Sequence, residues 1–382
     1  MLIQPPSAEE PSRNPRRERG LWHDGAQNML SMGCTNCPER NVCGGLQLSK
    51  ALFDCLGFCC RKPADCDKVC PNRPEAFARS VREVDGFLFD NVPRAAILAK
   101  PLLPSIVPVL YHGSKRVTPF RAPAVSLPLY GVIARHNGGN RFASAQELAE
   151  KFGFAGGASV VLTGTDTDAP LERWWSLGKG RREAIRALLA LNISLVTTPN
   201  YSLFTDRPRW DDLHSMKRIA IVHEEFLSEG LPAALHLNAR TERDWERWRA
   251  YISGRPEVTH VAFEFGTGAG WATRSPWHAD QLKRLSLAAG RPLHLILRGG
   301  SKLLPELITA FAEITFLETS VFMKTKSRQR AVSVSPGTVK WCASPTEINE
   351  PVDSLLTENW KVVAASYAAL FDRSVPPLQA VG

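Results

Sequence analysis

No apolar run in this sequence reaches the roughly 18–20 residues that a membrane-spanning helix needs, so no membrane contact is expected. The N-terminus is rich in Pro, Glu and Arg and lacks the apolar core of a signal peptide, which makes a soluble, cytoplasmic protein the expectation. With 44% apolar residues and neither a collagen repeat nor sustained heptads, wholesale disorder and fibrous classes are excluded. Beyond residue 70 cysteine is absent except for Cys342. Acidic residues are missing altogether from 319 to 346. The last two absences direct attention to what is concentrated around them.

The other eight cysteines run Cys34-x2-Cys37-x5-Cys43-x11-Cys55-x3-Cys59-Cys60-x5-Cys66-x3-Cys70-Pro71. Thiols clustered this way in a cytosolic chain indicate metal ligation rather than disulfides. Eight suffice for two four-cysteine sites, with adjacent Cys59 and Cys60 serving different sites or one of them not ligating. Zinc modules usually carry two C-x2-C knuckles, and only Cys34 and Cys37 form one. The end, Cys66-x3-Cys70-Pro71, matches the close of bacterial ferredoxin motifs. The expected cofactor is an iron–sulfur cluster, with zinc the alternative. A C-x3-C-x2-C radical-enzyme loop is not completed, because Lys62 stands at its third position.

Residues 1–30 read as a flexible arm bearing Arg13, Arg16, Arg17 and Arg19. Residues 31–104 hold the cysteine module and connecting helices, and Pro101 and Pro104 mark a boundary. From 105 to 375 short β-branched runs alternate with amphipathic stretches. The runs lie at 106–110, 125–133, 159–162, 193–198, 233–238, 258–265, 293–298 and 314–318. Helical periodicity covers 145–152, 181–191, 211–229, 242–252, 277–289, 302–311 and 358–371. Nearly continuous apolar strands separated by helices imply a parallel sheet covered on its outer face. The fold class is α/β, a (β/α)8 barrel, with an open doubly wound sheet as the alternative because no crossover helix fits between the first two runs.

In either architecture ligands bind at the carboxyl ends of the strands. Asn238, Glu264, Arg298 and Glu318 fall at strand ends, and Asn200 follows the fourth run. Charged groups in a doubly covered strand need a partner or a ligand. These five form the candidate catalytic set, with Glu264 the preferred acid or base. Asp166, after the third run, joins them as a candidate acid, base or metal ligand. The competing readings are a structural Glu–Arg network and, for Asp166, a solvated Asx-turn.

Neither nucleotide fingerprint is complete: Trp271 breaks G-x-G-x-x-G after Gly266, and Gly178-Lys179-Gly180 lacks the P-loop frame. Gly299, Gly300 and Ser301, placed between a strand and a helix, are the candidate phosphate-binding turn. Lys324, Lys326, Arg328, Arg330 and Lys340 carry five charges of the net +9 in a long loop, 320–357, expected beside the barrel mouth. Such a loop would attract a phosphate-bearing small molecule or nucleic acid; a solvated basic hairpin is the plain alternative.

The run Pro199-Asn200-Tyr201-Ser202-Leu203-Phe204-Thr205-Asp206-Arg207-Pro208 resembles the core of an uncharacterised family of bacterial and phage domains. That family carries Pro-Asn/Asp-aromatic-Ser-Leu-aromatic-x-Asp-x-Pro after a strand, then a long helix, a Gly and another strand. The resemblance spans about 155–300 and implies no activity. The resulting expectation is an enzyme, hydrolase or transferase before oxidoreductase, acting on a nucleotide or nucleic acid in a mobile-element or defence context. A non-catalytic nucleic-acid- or protein-binding module and an iron–sulfur redox protein are the alternatives.

Overall fold

A computed structural model of the chain describes residues 29–48, 59–111, 116–134, 138–205, 207–267, 269, 274–347 and 349–374. The expected arm up to residue 28, Cys55 and Asp206 lie outside the described residues. At the centre are eight parallel strands: β1 (Ile106–Pro108), β2 (Ala124–Pro128), β3 (Ser159–Thr163), β4 (Ile193–Thr197), β5 (Ala233–His236), β6 (His260–Glu264), β7 (His294–Arg298) and β8 (Glu313–Glu318). Strands β2 to β8 pair in sequence order, and β8 pairs with β1. A parallel bridge between Val109 and Ser126 links the first and second runs. The sheet is an all-parallel, nearly closed (β/α)8-type barrel flanked by helices, not an open doubly wound sheet.

Period-2 alternation sorts the strand residues. Val107, Val109, Ala124, Val161, Leu195, Ala234, Ala262, Ile296 and Leu317 pack together inside the barrel. Residues of the opposite parity, such as Leu127, Leu162, Leu235, Val261 and Leu295, pack outward in the larger core. That core is shared with α1 (Pro74–Val84), α2 (Ala145–Phe152), α3 (Asp168–Ser176), α4 (Gly180–Leu189), α5 (Arg209–Ser228), α6 (Glu242–Ser253), α7 (Ser275–Ala289) and α8 (Leu304–Ile308). Thr241 and Asp244 form a complete capping box at the start of α6. Ser144 caps α2 by accepting from the Glu147 amide at 3.1 Å. Among the described residues no helix is long and apolar enough to cross a membrane.

The departures from expectation are local. The second run ends as a strand at Pro128, and Leu129–Val132 forms a helical turn. The basic loop is structured: α9 (Ser320–Lys326) leads to an antiparallel hairpin, β9 (Gln329–Ser335) with β10 (Thr338–Ala343), before α10 (Asp353–Ser374). Its alternation suits a ribbon with one face covered. The expected boundary at Pro101–Pro104 is not where packing changes. Helix α1 and the segment after it contribute Phe77, Val84, Phe87, Phe89 and Val92 to the barrel's outer core.

That segment explains the burial of α5, whose polar residues would ordinarily face water. Of its 20 residues, Arg209, Asp212, His214, Lys217, Arg218, Glu224 and Glu225 are all buried. His214 lies 2.7 Å from Glu83. Lys217 donates to the Leu88 carbonyl and to Asn91. Arg181 meets Glu225 through two hydrogen bonds of 2.7 Å. Buried charge is tolerated because each group is paired or hydrogen-bonded.

Candidate functional site

At the carboxyl end of the barrel, β6 and β7 lie in register, so Glu264 faces Arg298. Arg298 Nη1 donates to Glu264 Oε2 at 3.0 Å, and the Gly266 amide donates to Oε1 at 2.6 Å. Glu264 is almost wholly enclosed, whereas the Arg298 side chain keeps 26% of its surface exposed. The guanidinium is thus anchored from below and presented upward. Burial lifts the Glu264 carboxyl above its ordinary value, opposed by Arg298 and the Gly266 amide. One strand away, His236 is buried with Nδ1 lacking any hydrogen-bond partner, and burial followed by Arg298 lowers it to about 3. It is therefore a neutral imidazole at pH 7. Ser126 Oγ, of inward parity on β2, is also buried without a partner.

Backbone crowding holds this corner in place. Gly299 has φ +72°, and a Cβ there would lie 2.7 Å from the Gly266 nitrogen. The turn after Arg298 therefore requires glycine for both conformation and space. As a phosphate cradle it is less suited than its sequence suggests. Ser301–Leu303 is a single 3-10 turn before the five-residue α8, and Ser301 is hydrogen-bonded to Tyr367.

The remaining candidates disperse. Asn238 Nδ2 donates to the Tyr201 carbonyl at 2.9 Å, tying the β5 exit to the Pro199–Pro208 motif. Asn200 donates its amide to the Gly164 carbonyl at 3.3 Å, while its buried Oδ1 has no partner. Glu318 has the parity of Phe316 rather than of Leu317, so it leaves the barrel interior. Its carboxylate instead accepts from the Ser320 and Val321 amides at 2.9 and 2.7 Å, which caps α9. Asp166 accepts from the Thr167 amide at 2.6 Å.

Arg328 and Arg330 also sit away from the mouth. Arg328 donates to the Glu350 carbonyl, and Arg330 lies 3.8 Å from Glu358, both near the start of α10. Tyr367, which meets Ser301 at the mouth end, comes nine residues after Glu358, about 13 Å along the helix. A groove of about 860 Å³, lined in part by Arg116, Arg121 and Glu150, includes Ala158 and Asn192 just before β3 and β4. It therefore opens at the amino end of the barrel, away from the mouth.

The cysteine module docks on the rim. All seven described cysteines of the cluster, Cys34, Cys37, Cys43, Cys59, Cys60, Cys66 and Cys70, line one cavity of about 60 Å³. Its far wall is Arg207, Pro208, Arg209 and Trp210, the end of the Pro199–Pro208 motif and the start of α5. None of the seven is in a disulfide. Backbone amides reach three sulfurs: Leu46 to Cys34 at 3.3 Å, Gly45 to Cys43, and Trp210 to Cys66. Burial followed by the neighbouring Cys70 pushes the Cys66 thiol up to about 12. Among the described residues no three Cys, His, Asp or Glu donors are gathered at metal-binding distance.

Three groups that sequence reasoning left out of the site hold this docking together. Arg240, two residues beyond Asn238, donates to Asp212 at 2.8 Å, to the Phe204 carbonyl at 2.6 Å and to the Gly45 carbonyl at 2.9 Å. Arg209 pairs with Asp244 and stands 3.8 Å from Asp212. Asp212 is fully buried between the two arginines. Arg209 and Asp212 are signalled in the sequence by the charge density of 206–212, which solvated faces show equally often, and Arg240 by its place just past the fifth run. Comparisons of the chain with protein-family models, with curated proteins and with solved structures return no match.

Proposed function

We propose that this chain is a metalloenzyme in which a sulfur-ligated centre, an iron–sulfur cluster, sits on the rim of the barrel beside a mouth that binds a phosphate-bearing substrate. The observation that carries this reading is the single cavity bounded by seven cysteines. Zinc and an iron–sulfur cluster would each draw on four of them, and the Cys66-x3-Cys70-Pro71 ending is what favours the cluster. Cys34, Cys37, Cys43, Cys59, Cys60, Cys66 and Cys70, with Cys55, are the ligand pool. The donor chemistry fits an anionic centre: sulfurs receive amide hydrogen bonds, and Arg73, Arg207, Arg209 and Arg240 supply positive charge around them. Closing thiols on a metal requires side-chain rotation and loss of their protons.

Location argues for function beyond a structural staple. Asn238 belongs to the mouth and Arg240 to the cysteine module, with one residue between them. At the mouth Arg298 would receive the substrate's anionic group, Glu264 would hold Arg298 in place and accept or release a proton, and neutral His236 would offer a hydrogen bond from the barrel wall. Anaerobic purification followed by iron, zinc and acid-labile sulfide determination and an absorption spectrum tests the cofactor. Coloured protein with iron and sulfide supports the reading, and a colourless protein carrying zinc alone replaces the cluster with a zinc site.

A further inference from the structure

The hairpin formed by β9 and β10 has two unlike faces. Ala331, Val339 and Trp341 turn toward α10 and join the core. The opposite face carries Arg330, Val332, Val334, Thr338, Lys340 and Cys342, all exposed. Register places Arg330 opposite Cys342 and Val332 opposite Lys340. Arg330 and Lys340 are thus diagonal neighbours, about 7–8 Å apart at the backbone. Exposed Lys326 and half-buried Lys324 precede the ribbon on α9. Among the described residues, Lys324, Lys326 and Lys340 have no ion-pair partner, and Arg330 has only Glu358 at 3.8 Å. Glu347, Glu350 and Asp353 follow the hairpin. Asp353 is turned away, accepting from the Val117 and Thr118 amides.

We propose that this exposed face, with the end of α9, is a docking surface for the phosphate backbone of nucleic acid. The surface offers cations in a row, valines between them, and no acidic side chain from 319 to 346. One face of the ribbon is fixed on α10, so the hairpin cannot enter a groove as a free two-stranded ribbon and meets the backbone instead. Its exposed face has no aromatic side chain to stack on a base and no Asn or Gln, and its cations serve the phosphates, contacts that carry no sequence information. The ribbon runs toward the mouth: at its tip the Gly337 amide donates to the Ser366 carbonyl at 2.9 Å, one residue before Tyr367. A strand lying along it is led toward Arg298. The proposal rests on the hairpin and not on the metal reading, so either can fail alone.

The test is fluorescence anisotropy of the full chain with a labelled single-stranded 20-mer across a salt series. Wild type should bind with a log–log salt slope of about −0.7 for each phosphate neutralised. The triple variant Lys326→Ala, Arg330→Ala, Lys340→Ala should bind roughly tenfold or more weakly at low salt, with a slope shallower by about 0.7 for each cation removed from a phosphate. The exchange Lys326→Arg, Arg330→Lys, Lys340→Arg should bind like wild type. If the triple variant does not fold, Lys340→Ala alone should still reduce the slope by about 0.7. Failure of wild type to bind at low salt, unchanged binding in the folded neutralised variants, or competition by polyglutamate equal to that of unlabelled oligonucleotide would overturn the assignment; the last would mark the surface as one for acidic proteins.

Discussion

Arg240 donates a hydrogen bond to the carbonyl of Gly45, joining the rim of the barrel to the cysteine module across 195 positions of sequence. The same guanidinium holds buried Asp212 at 2.8 Å. Arg240→Ala should therefore cost about 3 kcal/mol, the low end for breaking a buried pair, because Asp212 keeps Arg209 at 3.8 Å and the Phe204 amide. Arg240→Lys should recover only part of it, because an ammonium cannot span three acceptors set around a planar fork. Urea denaturation of the two variants checks both statements, and retention of wild-type stability in Arg240→Ala would detach the module from the rim.

Arg298 keeps 26% of its side-chain surface exposed at the mouth, and Glu264 is its anchor. Pyrophosphate should raise the melting temperature of wild type through linkage, and Arg298→Ala should abolish the rise. Glu264→Gln should weaken it while leaving stability within about 1 kcal/mol, since the freed guanidinium can be solvated. A full pyrophosphate shift in Arg298→Ala would move the anion site elsewhere.

Gly299→Ala tests the crowding behind that pair. Its left-handed φ and the nearby Gly266 nitrogen both oppose a methyl group. A destabilisation of about 1–3 kcal/mol is expected, read by denaturant midpoint, together with loss of the pyrophosphate shift. A neutral substitution would show that the turn can relax.

Five buried histidines set the acid limit. His223 and His294 are lowered to about 4, and His236, His260 and His278 to about 3, in each case chiefly by burial. The unfolded chain, with histidines near 6.5, binds more protons in this window, so stability rises with pH there. It is fully present above about pH 6.5 and is lost as pH falls toward the folded values, at up to about 1.4 kcal/mol per pH unit for each histidine. His278 has neither ring nitrogen hydrogen-bonded and packs against Trp245, Phe263 and Trp277. His278→Phe should therefore be at least as stable at pH 7 and less acid-sensitive, by urea denaturation from pH 7.5 to 4.5. Equal acid sensitivity would mean that His278 is not buried neutral.

Period and composition make all eight strands legible, because β-branched runs covered on both faces leave few other solutions. Glu264 and Arg298 are legible for the same reason: charge inside such a strand demands a partner. Glu318 misleads because a shift of one residue along a strand reverses the face, and the helix amides that hold it are invisible without that parity. The hairpin is legible only as the plain alternative to a loop over the mouth, because its turn, Pro336-Gly337, sits between runs whose polar residues hide the alternation. Polar α5 gives no hint of its burial, since part of what covers it, Glu83 to Asn91, lies more than 100 residues earlier.

A thiolate-ligated metal on the barrel rim is the proposal that metal K-edge X-ray absorption on the anaerobically purified full chain decides. A sulfur-dominated ligand shell at about 2.3 Å, retained in Cys342→Ser and lost or depleted in Cys66→Ser, is the predicted result. Absence of bound metal, or a ligand shell of nitrogen and oxygen at about 2.0–2.1 Å, would contradict it.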